Sequence, residues 1–202
     1  CLADPGLSDG DDLLVFCVSR NDISQAQADY IRDTYNVTKI PYESSILEYI
    51  EENLTGKDKT YAYSIVHKYE EMACQNAKEI RDINLFIEAL SNKKIPTGIL
   101  TRNSKVITDK TLSMFKWTFD LVLTRDCAKA KPDPDGLEIF ASKFNSPVNE
   151  ILYIGDYDFD IETAKNAGSI AALITNEKNQ YLKDSADIII ENYMDLYNDY
   201  IK

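Results

Sequence analysis

Histidine is nearly absent from this chain of 202 residues, and cations are scarce. The one histidine, His67, falls in the polar helical stretch 61–78, where a surface position suits it. Triads built on a histidine base are thereby excluded. Lys and Arg number 22 against 34 Asp and Glu, a formal charge of −12, and no basic patch breaks the pattern. Nucleic acids and anionic membranes bind by pairing phosphates with Lys and Arg, so neither is expected as a partner. The four cysteines, Cys1, Cys17, Cys74 and Cys127, lie far apart without Cys-x-x-Cys spacing. That argues against a zinc site and against a disulfide scaffold. No apolar run reaches the ~20 residues of a transmembrane helix, and no signal-peptide pattern is present. A reducing, cytoplasmic location is expected, with an organelle as the alternative because the chain opens on Cys1 and not on Met.

What is present is an alternation of short apolar runs with helical periodicity. Residues 1–12 are rich in Gly, Pro and Asp and read as a loop or tail; 13–18 is a compact apolar run of strand length. From 22 to 78 the pattern is helical, with apolar residues at three-to-four spacing over 23–35, 44–53 and 57–78, punctuated by Pro41 and Gly56. Strand and helix then alternate: helix 83–92, strand 97–100, helix 105–115, strand 121–124, helix 135–144, strand 151–154 and helix 161–167. Strands 171–174 and 186–190 and a Tyr-rich helix close the chain. This order predicts an α/β fold, a parallel sheet covered on both faces. Residues 13–21 and 79–202 would form its core, and 22–78 an inserted helical subdomain placed as a lid over a strand-end site.

Chemistry gathers at the expected strand ends. Strand 151–154 stops abruptly in Gly155-Asp156, and a second acid, Asp160, follows four residues later at the mouth of a helix. Paired carboxylates there suit a hard divalent cation such as Mg²⁺, which takes oxygen ligands and often a substrate phosphate. An acidic turn with two solvated Asp is the plainer alternative. Strand 97–100 ends in Thr101, whose hydroxyl and neighbouring N–H groups suit a phosphate oxygen. Lys131 precedes Pro132-Asp-Pro134, a stiff segment that pins it where a transferring phosphoryl group would need charge neutralised.

Hydroxyl, lysine and paired acids at successive strand ends resemble the haloacid dehalogenase-like superfamily, within it the phosphoglycolate-phosphatase-like group with a helical cap after the first strand. The segments carrying the resemblance are Gly98-Ile-Leu-Thr-Arg-Asn-Ser104, Thr124-Arg-Asp126 with Lys131-Pro-Asp-Pro134, and Gly155-Asp156 through Ala167-Gly168. The resemblance implies a Rossmann-like fold and Mg²⁺-dependent hydrolysis of a small phosphorylated metabolite. It implies phosphate binding by Thr101, charge neutralisation by Lys131, metal ligation by Asp156, and a ligand or ligand-supporting role for Asp160. In such enzymes an Asp ending the first strand attacks phosphorus, and a second Asp two residues on acts as acid and base.

The sequence departs from that pattern at one place. The first strand continues as Phe16-Cys17-Val18-Ser19-Arg20, so Cys17 stands at the nucleophile position and Ser19 at the acid/base position. Neither replaces a carboxylate beside a hard cation. Cys17 lacks the Cys-x5-Arg loop of thiol phosphatases, since residue 23 is Ile23. The other Asp-x-Asp, Asp9-Gly-Asp11, follows Pro5-Gly-Leu-Ser8, which is no strand. The expectation is an impaired phosphatase, or a silent pseudoenzyme of the same fold acting as a binding or structural subunit for a protein partner.

Overall fold

The computed structural model describes residues 13–16, 46–80 and 82–201. Cys17, Ser19, the segment 1–12 and the helix expected at 23–35 lie outside them.

Six strands form one sheet: β1 (Leu13–Phe16), β2 (Thr97–Leu100), β3 (Leu121–Leu123), β4 (Ile151–Gly155), β5 (Ile170–Ile174) and β6 (Ile188–Ile190). Every pairing is parallel, in the order β3-β2-β1-β4-β5-β6. Successive strands step outward from β1 to β3 on one side and from β4 to β6 on the other. The order therefore reverses between β1 and β4, and open α/β sheets bind ligands outside the carboxyl ends of the strands at such a point. In register, Phe16 lies beside Ile99 of β2 and Ile154 of β4.

The helices are α1 (Ile46–Asn53), α2 (Gly56–Gln75), α3 (Ile83–Lys93), α4 (Lys105–Phe115), α5 (Asp135–Phe144), α6 (Asp158–Ala167) and α7 (Tyr193–Leu196), the last continuing as a π turn over Tyr197–Ile201. Side chains alternate across a strand, and the core follows that rule. Ile99, Leu152, Ile154, Ala172 and Ile174 pack on one face with Phe86 and Leu90 of α3 and with Tyr193 and Leu196 of α7. Leu100, Ile151, Tyr153, Ala171 and Leu173 pack on the other with Leu137 and Phe140 of α5 and Ile161 and Ala164 of α6. Burial on both faces explains why these strands read as continuous apolar runs.

Two compact units divide the described chain: β1 with Glu79–Lys105 and the chain from Phe115 onward, and α1 and α2 with Val106–Met114. The second has its own cluster, Ile46, Leu47, Ile50, Ala62, Ile65 and Val66. On its surface the Lys59 ammonium, then the Tyr63 hydroxyl, hold the Glu51 carboxyl below the usual carboxylate range. This exposed pair contributes little. Its contribution is present above that range and is lost as the pH falls through it. His67 is exposed on α2.

Candidate functional site at the carboxyl edge of the sheet

Three successive loops bring the sequence-derived residues to the carboxyl edge. β2 delivers Thr101, which is 4% exposed. Its N–H donates to the Leu123 carbonyl at 2.9 Å, and its Oγ accepts the Asn103 N–H at 3.2 Å. That local bond turns the chain sharply at the strand end. The loop after β3 carries Lys131, 5% exposed, in the segment that the following prolines stiffen. β4 ends in Gly155, followed by half-buried Asp156.

Asp160 joins these loops. It is 1% exposed, and its Oδ1 accepts from Lys131 Nζ at 2.5 Å and from the Tyr153 hydroxyl at 3.1 Å. Its Oδ2 accepts from the backbone N–H of Asp156 at 3.2 Å and of Tyr157 at 3.1 Å. The helix containing it begins at Asp158, three residues before the expected start, so Asp160 sits within the first turn. Two acids in that turn, Asp158 and Asp160, favour an earlier start because they meet the positive end of the helix dipole. α6 closes on Gly168, whose φ of +77° suits glycine.

Gly155 is dictated by this arrangement. A Cβ there would fall inside the envelope of Asp160 Cβ and Cγ, and Asp160 is pinned by four donors and cannot yield. Gly155→Ala should therefore cost about 1–3 kcal/mol as overpacking. Urea denaturation would measure it; an unchanged midpoint would contradict the contact.

Three further residues belong to the edge. Arg102, 6% exposed, donates from one Nη to the Lys131 carbonyl at 2.9 Å and lays its guanidinium 4.9 Å from the Phe159 ring centroid. Its own carbonyl accepts from Arg125 at 3.0 Å. Tyr153 contributes its hydroxyl, and its ring lies 5.9 Å below Lys131 Nζ. Asn179, 4% exposed, holds the loop after β4 by donating to the carbonyls of Asp156 at 2.9 Å and Ile174 at 3.0 Å. The sequence reading did not single out Arg102, and its place next to Thr101 was the signal that pointed to it. No local signal marked Asn179, which acts across 23 residues.

The Mg²⁺ that the resemblance implies finds a poor donor set here. Among the described residues no three His, Cys, Asp or Glu side chains converge as a metal cluster. Asp160 spends both oxygens on four donors. The segment following β1, Cys17 to Asn21, adds no carboxylate. A hard cation needs several oxygen ligands, so these residues do not fit it.

Among the described residues no helix is long and apolar enough to cross a membrane. An uncharacterized hydrolase of Saccharomyces cerevisiae is 26% identical over 159 residues, 75% of this chain and 73% of that protein. The pyrophosphatase PpaX of Listeria welshimeri is 42% identical over 55 residues, only 27% of this chain and 25% of that protein. A crystal structure of a hydrolase from Pseudomonas syringae superposes with a TM-score of 0.73 at 18% identity, covering 94% of this chain and 97% of that one. The sequence pattern of the haloacid dehalogenase-like hydrolases matches residues 16–174. The chain belongs to the haloacid dehalogenase-like hydrolase family.

Proposed function

We propose that the carboxyl edge of the sheet holds the phosphate of a small phosphorylated metabolite, and that the chain is a phosphomonoester hydrolase by descent with impaired turnover. The observation that carries this is the meeting of Thr101, Lys131, Asp156 and Asp160 on loops after β2, β3 and β4, beside the reversal point of the sheet. Thr101 offers a hydroxyl, and Lys131 offers an ammonium whose position Asp160 sets. A preorganised ammonium stabilises negative charge on phosphoryl oxygens without reorganising at the moment of reaction. The relative whose name includes a pyrophosphatase activity supports a phosphate-containing compound as the ligand class.

Turnover is impaired because the residues at the nucleophile and acid/base positions are Cys17 and Ser19. Mg²⁺ dependence belongs to the lineage, and Asp156 stands at the position of its metal ligand. The helical unit containing α1 and α2 takes the part of a cap that selects the substrate. A silent pseudoenzyme that binds phosphate as a subunit is the second reading, and the loss of both first-motif carboxylates favours it.

Phosphate release from para-nitrophenyl phosphate by the 202-residue chain, with Mg²⁺ and with EDTA, tests the reading. The expected result is no Mg²⁺-dependent turnover above the buffer rate. Robust Mg²⁺-dependent release would overturn the impairment and direct attention to Asp9 and Asp11.

A further inference from the structure

Two connectors run side by side at the amino ends of β2 and β3, the opposite end of the sheet from Thr101. α3 ends at Lys93 and α4 at Phe115, and the residue after each, Lys94 and Lys116, takes a φ of +59° and +58°. That left-handed step stops each helix and returns the chain toward its strand. β2 and β3 pair in parallel, Gly98 beside Leu121, so the two returns are neighbours. Between them, within the larger unit, lies a cavity of about 660 Å³. Small-molecule sites span roughly 300–1,000 Å³.

The cavity wall is aromatic. Along 115–120 the residues alternate half-buried and exposed, so Phe115, Trp117 and Phe119 turn inward together. Phe144, the last residue of α5, adds a fourth ring. Trp117 is the one tryptophan in the chain, and it is fixed at two points. Its ring stacks on Phe115 with centroids 4.7 Å apart, and its Nε1–H donates to Asn84 Oδ1 of α3 at 2.5 Å. With that oxygen engaged, the Asn84 amide keeps its N–H groups for a ligand. The charged lining is two lysines, Lys94 and Lys116, and two acids, Glu88 and Asp120. Neither sign prevails, so the lining favours no net charge on a ligand. Ring faces beside amide and hydroxyl groups suit a planar ring with hydrogen-bonding edges.

We propose that this cavity is a second ligand site, which takes a neutral heteroaromatic compound of nucleoside size with its ring against Trp117. It is separate from the phosphate site: Thr97 opens β2 and Thr101 follows its last residue, so four residues of strand, roughly 13 Å, lie between them.

Titration of the 202-residue chain with adenosine tests it, read by Trp117 fluorescence excited where tyrosine does not absorb. The expected result is a saturable change with a Kd below about 1 mM, and none with ribose, which lacks the ring. Trp117→Leu, followed by calorimetry, should weaken binding by about tenfold or more through loss of the stack. Trp117 also packs against the core, so its loss can disturb folding, and Ser91→Phe is the deciding variant. Ser91 is exposed on α3 and lines the cavity, so a phenyl ring there should fill the space and abolish binding without moving the urea midpoint. An equal response to ribose, or undiminished binding by Ser91→Phe, would overturn the site. So would displacement of adenosine by inorganic phosphate, which would place it at the carboxyl edge, or the lack of any saturable change in the parent.

Discussion

Replacing Cys17 and Ser19 together by aspartate should create Mg²⁺-dependent hydrolysis of para-nitrophenyl phosphate on the order of a thousandfold above the parent chain. The magnitude follows from the cost of removing members of a catalytic unit, which runs to several powers of ten. β1 carries the chain to Phe16, in register with Ile99 of β2 and Ile154 of β4, and Cys17 is the next residue. Thr101 and Asp156 each stand two residues beyond the positions paired with Phe16, Ile99 and Ile154 respectively. An aspartate at 17 would supply the missing nucleophile and a carboxylate for a hard cation, and one at 19 a proton carrier. A folded double variant that remains at the parent's rate would mean that the pocket has diverged beyond these two positions.

Asp160→Ala should be the most damaging single change to stability, at about 3–5 kcal/mol, because it leaves a buried ammonium without its partner. Lys131 Nζ, the Tyr153 hydroxyl and the Asp156 and Tyr157 amides would lose their shared acceptor together. Denaturant unfolding of parent and variant measures the difference. Lys131→Met combined with Asp160→Leu should recover much of the loss, since an apolar pair of similar volume removes both buried charges. The same double variant should not bind phosphate. A cost below about 1 kcal/mol for Asp160→Ala would be that of a surface pair and would contradict the burial.

Much of this was legible along the chain. Strand 97–100 and helices 105–115 and 135–144 coincide with β2, α4 and α5. Their signals are local: an apolar run of strand length, or a period near 3.6. The bounds of α6 were less legible. Its first turn is Asp158-Phe159-Asp160, whose helical conformation depends on a carboxylate meeting backbone amides and not on apolar spacing. Asp160 read as half of a metal pair because spacing records that two acids are near. It does not record which donors they face.

Sequence by itself determined the family, the parallel α/β class and the strand-end positions of Thr101, Lys131 and Asp156, because each of these is written in short contiguous segments. It also determined that no carboxylate stands at 17 or 19. The tertiary structure alone decided that β1 lies between β2 and β4 at the reversal of the sheet. It decided as well that Asp160 answers Lys131 across 29 residues, and that Arg102 is buried against the same lysine's carbonyl. Partner choice among buried charges depends on which loops the sheet brings within 3 Å, and no local pattern encodes that distance.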